Sequence, residues 1–347
     1  MDAVVTDDLL AQSAAELFAR HATPAAVRAI LGGGPAGVLW SAVEEAGFAD
    51  ALVPEEAGGA GLGPADALPV LLAAGRAAAP LPLGGTMLAR AALARAGMAV
   101  PSGAIALAEA LPGEALRGRV AAHGAAEWVL LPRPGGARLL PVAEAERDDA
   151  SPYGTVLRWA SAGNAPTLPE ADWMAAGAWA TLAAMAGAME RILEETVRYA
   201  TERRQFGRAI AAFQAVQQQI SVMTEDVFAA RIAAQLASLP GEGGTGVAGL
   251  DTARIAAAKA RIGEAASRVA GIAHAVHGAM GITAEVDLHL WTGLLHRGRL
   301  RFGAESHWNA WLGAEFLRGA EAQSLAFVRA RLAPPLAENR PAEETTP

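Results

Sequence analysis

From Trp173 to Arg203 the chain runs without a proline, and Gly177 and Gly187 are its only breakers. A stretch of that length and composition has one stable form, a single long α-helix, because alanine and other unbranched residues propagate helix readily. A helix of ~30–40 Å cannot stand alone in water; it must bury its apolar face on similar helices, and that points to a bundle. Four further segments fit that demand. Phe213 to Leu239 reads as a second helix closed by Pro240, Ala253–His277 as a third, and Asp287–Phe302 and Ser306–Leu332 as a fourth and fifth. Gly241–Gly246 reads as a loop between them.

The first part of the chain is also helical but more broken. Ala14, Leu17 and Phe18, then Val27, Ile30 and Leu31 after a Thr23-Pro24 start signal, recur at helical spacing. Gly32–Pro35 interrupts the chain before a helix with Leu39, Trp40 and Val43. Gly47 ends that helix, and helices fit Ala65–Ala78 and Gly85–Gly97. Between them, Ala57–Pro64 reads as a flexible glycine-rich connection and lacks the Lys-Ser/Thr of a phosphate-binding P-loop. The texture changes after residue 98. Ala104–Ala108, Arg117–Ala121, Trp128–Leu131 and Val156–Trp159 are short apolar runs separated by Pro, Gly and Asp clusters, which predicts strands, with Asp148-Asp149 as a turn. The expected fold class is α+β and mainly α: an N-terminal helical domain (1–98), a small β-domain (99–168), a C-terminal bundle (169–333) and a tail (334–347).

Composition excludes several functions. The chain has 347 residues, of which 52% are hydrophobic, too many for a disordered protein. With 36 acidic and 28 basic residues its net charge is −8, unlike a dedicated nucleic-acid binder. It has no cysteine, so no disulfide, thiolate or Cys nucleophile is available. No run approaches the ~18 apolar residues of a membrane span. Asp2, Asp7 and Asp8 stand where a secretory signal would be basic, which predicts a cytoplasmic protein. Lys259 is the single lysine; the arginine bias around it reads as genome composition. His274 and His277 share a helical face without a third ligand, so no metal is expected. Trp173, Trp179, Trp291, Trp308 and Trp311 read as core or interface anchors.

One segment carries chemistry. Tyr199-Ala-Thr-Glu-Arg203-Arg204-Gln205-Phe206-Gly207-Arg208 continues to Phe213-Gln214 at a helix junction. An arginine there can grip a pyrophosphate bidentately, and Phe206 can cover a planar ring. It can also be a basic turn complementing a helix dipole. The run resembles the signature of the acyl-CoA dehydrogenase family, Arg-x-x-Phe-Gly followed by a Gln. His274–Glu285, with Gly278 and Gly281, is similar to the family's glycine-rich segment. Leu52–Gly63 is similar to its Val-Pro-Glu-x-x-Gly-Gly-x-Gly segment.

The resemblance implies FAD between the β-domain and the bundle, with its adenine half held by a neighbouring subunit. Arg203 would bind the pyrophosphate, Phe206 and Gln214 would line the adenosine side, and Gly278 and Gly281 would admit a neighbour's backbone. It implies α,β-dehydrogenation of an acyl-CoA thioester: a Glu takes the α-proton, a β-hydride passes to the flavin, and electrons leave to an electron-transfer flavoprotein. The base position falls on Phe302 or Gly303, and an alternative base position on Gly177; none is acidic. A substrate-mouth Arg falls on Ala178, a Gln falls on Ala275, and the flavin-contacting loop is reduced to Leu107–Gly113. Glu305 is the nearest carboxylate and reads either as a displaced base or as a helix N-terminal charge. Two expectations stay open: a dehydrogenase chain, or the non-catalytic member of a hetero-tetramer with a catalytic paralogue, as in the steroid-degrading α2β2 branch. A homodimer or hetero-tetramer is expected in either case, and Gly303→Glu is the change that would restore the family position.

Overall fold

The computed structural model describes residues 2–113, 115–121, 123–151, 153–241, 247–319 and 323–333. Five helices open the chain: α1 (Asp2–His21), α2 (Pro24–Leu31), α3 (Gly37–Glu45), α4 (Pro64–Arg76) and α5 (Leu83–Arg95). Thr23 caps α2 through its side chain, which accepts from the Ala26 backbone N–H, with Pro24 at the first turn as helix entry favours. The connection 57–64, expected to be flexible from its glycines, is tied back to the residues before it. Gly61 N–H donates to Val53 O at 2.8 Å and Leu62 N–H to Ala51 O at 2.9 Å.

Eight short strands follow: β1 (Ile105–Leu107), β2 (Glu109–Ala110), β3 (Leu116–Val120), β4 (Trp128–Arg133), β5 (Gly136–Pro141), β6 (Glu146–Ser151), β7 (Gly154–Trp159) and β8 (Thr167–Leu168). They form two four-stranded sheets, ordered β1-β4-β5-β8 and β2-β3-β7-β6; β1 and β4 are parallel and the other pairs antiparallel. Val120, Val129, Leu131, Leu140, Leu157 and Trp159 make a separate apolar core among these strands. Asp148-Asp149 is a correction: it lies in edge strand β6, at a register shift between Arg147 and Asp149, and not in a turn. Charge on an edge strand hides it from pattern reading while protecting the edge from further pairing. Thr86 of α5 ties the β-domain to the helices, since its Oγ1 accepts from Ile105 N–H at 2.9 Å and donates to Ile105 O at 3.1 Å.

The second half is built on α6 (Trp173–Glu202), followed by the hairpin β9 (Arg204–Gln205) and β10 (Arg208–Ala209), then α7 (Gln214–Ser238), α8 (Thr252–His277) and α9 (Leu288–Leu300). Trp179 Nε1 of α6 donates to Ser238 Oγ at the end of α7 (2.8 Å), so these two helices run antiparallel. Thr252 Oγ1 of α8 donates to Asp172, the cap of α6 (2.8 Å), and Tyr199 near the end of α6 meets His277 at the end of α8, so these run parallel. Gly298 at the end of α9 faces Thr181 and Met185 of α6. The result is an up-down-up-down bundle. A methyl group at Gly187 would lie 2.0 Å from Leu72 O, and one at Gly75 2.0 Å from Ala184 O; glycine at both lets α4 and α6 pack backbone to backbone.

Trp173, Trp179, Trp291 and Trp308 are buried, and Trp311 packs partly against the core. The expected last helix is divided. Gly319 adopts an extended conformation after α10 (Glu305–Arg318), and α11 (Ser324–Phe327) continues into a π-type turn at Val328–Leu332. The expected tail 334–347 and most of the expected loop, 242–246, lie outside the described residues. Among the described residues no helix is long and apolar enough to cross a membrane.

Candidate functional site

Phe302 and Gly303, the pair on which the resemblance puts the base, sit at the corner between α9 and α10. Phe302 has φ +49 and Gly303 φ +90, so two consecutive residues take left-handed backbone to turn the chain sharply. For phenylalanine this is an unfavourable conformation, and the surroundings hold it. Trp308 Nε1 donates to Phe302 O at 2.9 Å. Lys259, only 1% exposed, donates from Nζ to Gly298 O and Arg299 O at 2.9 Å and to Gly303 O at 3.0 Å. All three ammonium protons are spent on one corner, a pyramidal donor set that a planar guanidinium could not reproduce. Burial pushes the Lys259 pKa down to about 8; the charges of Glu305 and Glu109 work against that shift.

The corner presents no base. Phe302 is 4% exposed, and its ring lies on Gly177 of α6. A methyl group at Gly177 would come within 2.4 Å of the ring. Two of the positions where a base is expected, Phe302 and Gly177, therefore touch, and neither carries an acidic group. Ala178, where a mouth Arg is expected, is fully buried. The Arg301 guanidinium stacks over the Phe302 ring at 4.9 Å and its Nε donates to Glu109 Oε1 at 3.3 Å. Glu109 stands in the Leu107–Gly113 segment of the β-domain.

Glu305 is the first residue of α10 and accepts from Arg299 Nε at 2.5 Å. Burial raises its pKa, but the Arg299 hydrogen bond, its own backbone N–H and the charges of Arg299 and Lys259 outweigh that and hold it below the ordinary carboxylate value. A carboxylate so stabilised is a weak base, the opposite of what proton abstraction near neutral pH requires. The helix-terminal reading of Glu305 is the one its geometry supports.

The second cluster lies at the far end of α6. The α6 helix stops at Arg203, and Phe206-Gly207 form the two-residue tip of the β9–β10 hairpin with φ +48 and +78, both left-handed as a type I′ turn requires. Phe206 is 89% exposed. Arg203 and Arg204 make no ion pair and no side-chain hydrogen bond among the described residues, and Arg208 stacks on Phe213 at 4.1 Å. Gln214 opens α7 and is exposed. The Tyr199 ring stacks on His277 at 4.3 Å, and its hydroxyl donates to His277 O at 3.3 Å. That contact brings the glycine-rich segment beside the hairpin base. Gly278 has φ +57. Gly281 is buried, and a methyl there would crowd His277 Cβ at 2.9 Å, so internal packing already accounts for that glycine. Burial keeps the His277 pKa below its ordinary value.

Sequence reasoning passed over Lys259, Arg301 and Glu109. The signal for the first was available, a lone lysine in an arginine-rich chain; Glu109 lay in the Leu107–Gly113 segment already singled out, but nothing local paired it with Arg301.

The FAD implied by the family can be tested against these two clusters. The hairpin residues, cationic, exposed and unpaired, fit a dinucleotide's diphosphate and adenosine. The corner does not fit a flavin ring, because its own side chains occupy the space and satisfy one another.

Residues 6–100 match the acyl-CoA dehydrogenase N-terminal domain and residues 172–308 the acyl-CoA dehydrogenase C-terminal domain. The acyl-CoA dehydrogenase IpdE2 of Mycobacterium tuberculosis is 35% identical over 298 residues, 82% of this chain and 88% of that protein. IpdE2 of Mycolicibacterium smegmatis is 32% identical over 82% of this chain and 90% of its own length. The fold resembles the Mycobacterium tuberculosis ChsE4-ChsE5 complex (TM-score 0.78, 22% identity, 91% of this chain and 98% of that one). It also resembles the Tcur3481-Tcur3483 steroid acyl-CoA dehydrogenase, solved as a G363A variant (TM-score 0.77, 24% identity, 92% and 99%). Matching domains at both ends, in the order and fold the motifs imply, make this chain a member of the acyl-CoA dehydrogenase family.

Proposed function

We propose that this chain is the non-catalytic subunit of a hetero-oligomeric, FAD-dependent acyl-CoA dehydrogenase acting in lipid or steroid breakdown, and that a base-bearing paralogue carries out the α,β-dehydrogenation. The carrying observation is the contact between Phe302 and Gly177: two of the positions where a base is expected are a buried aromatic ring and the glycine it packs on, and neither can take a proton. Two relatives are named as two-component assemblies, the ChsE4-ChsE5 complex and Tcur3481-Tcur3483, which supports the hetero-oligomeric form.

In this reading Arg203, Phe206 and Gln214 serve the partner's cofactor. Arg203 neutralises the pyrophosphate, Phe206 covers the adenine, and Gln214 offers an amide to it. The strained, exposed Phe206 supports such a role, since a bulky apolar residue is rarely kept in left-handed backbone in full contact with water without a function for it. Gly278 gives the backbone freedom for close approach by the neighbour.

The test is acyl-CoA oxidation by the purified chain alone, by a base-bearing paralogue alone, and by the two combined, with FAD and an artificial electron acceptor. The chain alone should be inert and the combination active. Robust oxidation by the chain alone, abolished in Glu305→Gln, would overturn the reading and make Glu305 the base.

A further inference from the structure

We infer that the reaction chamber of this chain is permanently filled by a side-chain latch, Arg301 bridging to Glu109 over the Phe302 ring, which joins the β-domain to the helical bundle in place of a flavin ring. The inference rests on the non-catalytic reading above and extends it from a missing base to a closed cofactor seat. Loss of a base by drift would leave a hole, a solvated gap or unpaired polar groups around the vacated position. The corner shows the reverse. Phe302 is buried in a backbone conformation that costs free energy, and two independent groups hold it there: the Trp308 indole on its carbonyl and the Lys259 ammonium on the carbonyls around it.

The charges are also closed among themselves. Arg301 and Glu109, each about one-fifth exposed, pair with one another, and Glu305 pairs with Arg299. Arg301, Glu109, Arg299 and Glu305 are thus each spent on a partner within the chain.

The latch spans domains. Glu109 belongs to the segment that the family turns toward the flavin, and Arg301 to the corner that carries the family's base; 192 residues separate them in the chain. The first sheet also packs on the helices through Ile105, Leu107, Leu130 and Leu139, so the latch adds a polar tie at the far end of an apolar contact. Here a guanidinium stacked on an aromatic ring supplies a planar, apolar-faced, charge-bearing filler of the same general character as a flavin ring. The chain should therefore need no flavin ring to hold its domains in place.

The experiment uses the full chain with FMN, which has the flavin ring without adenosine, and limited proteolysis as a readout of domain attachment. Titrated with FMN at millimolar concentration, the unmodified chain should leave flavin fluorescence and the shape of the visible flavin band unchanged. Glu109→Gln and Arg301→Met should each accelerate cleavage between the β-domain and α6 severalfold. The double variant should be no faster than Arg301→Met, and Arg301→Lys, which keeps the charge but loses the planar stack, should fall between the parent and Arg301→Met. Stoichiometric FMN uptake with a structured flavin band would overturn the closed chamber. So would single variants that cleave at the parent's rate, or additive effects in the double variant. Should Arg301→Met fail to fold, the Glu109→Gln and Arg301→Lys pair carries the same comparison. FMN uptake would leave the partner-subunit reading intact, because that is judged by activity of the combined chains.

Discussion

The α9–α10 corner and the β9–β10 hairpin are both built around arginines and a left-handed phenylalanine, yet they are opposite in every physical respect. At the corner Phe302 is 4% exposed, and its carbonyls, carboxylates and cations pair internally. At the hairpin Phe206 is 89% exposed, and Arg203 and Arg204 have no partner among the described residues. Groups that satisfy one another have nothing to gain from a ligand, whereas exposed unpaired cations beside an aromatic face gain a charge-assisted contact when an anion arrives. Strained backbone alone does not mark a site. What separates a site from a plug is whether the polar groups around the strain are already spent.

The largest expected effect is on rate. General-base catalysis contributes ~10²–10⁴-fold, so the isolated chain should oxidise acyl-CoA slower than the combined enzyme by at least that factor in a stopped-flow assay. Glu305→Gln should leave any residual rate unchanged. Next comes the pin of the corner. Lys259→Met leaves the buried carbonyls of Gly298, Arg299 and Gly303 without donors and should cost about 2–4 kcal/mol in urea unfolding. Its pH signature has a definite sign. The Lys259 pKa is lowered to about 8 in the fold, so above that value the unfolded chain binds more protons than the folded one. The parent should therefore gain stability over Lys259→Met between about pH 8 and pH 10.5, by up to about 3 kcal/mol.

A smaller effect concerns the substitution that sequence comparison recommends. Gly303→Glu would place a side chain at φ +90 with its Cβ 2.6 Å from Trp308 Nε1, so it should destabilise the corner before it can act as a base. Even Gly303→Ala should cost about 2 kcal/mol by thermal unfolding. Smallest is Glu305→Gln on stability, about 1 kcal/mol at neutral pH. Because the folded carboxyl has the lowered pKa, that difference should be present above the ordinary carboxylate value of about 4.3 and vanish as pH falls through the folded pKa.

Much of this was legible in the chain itself. The helix at Trp173–Glu202 could be read because nothing in it interrupts propagation, and the three motifs because each keeps its residues contiguous. Strand β5 could not, since Gly136 and Pro141 bound it and read as turn residues, and β6 could not because an edge strand of charged residues has no alternation to detect. The corner was only half legible. That Phe302 and Gly177 are not acidic is visible at each separately, but the fact that one packs on the other depends on α6 and the α9–α10 corner meeting, which no local pattern encodes. Lys259 stood out by its rarity, but composition could not show the three carbonyls it holds.

The contrast between hairpin and corner is tested most directly by FAD affinity in the combined enzyme, measured by equilibrium titration for the parent, Arg203→Ala and Phe302→Leu. The account predicts that Arg203→Ala weakens FAD binding by about 1.5–3 kcal/mol, roughly 10- to 100-fold, because a charge-assisted contact is lost. It predicts that Phe302→Leu, which keeps the plug apolar, leaves the affinity unchanged. An unchanged affinity in Arg203→Ala together with a loss in Phe302→Leu would contradict it, placing the flavin in this chain's own chamber and leaving the hairpin a structural turn.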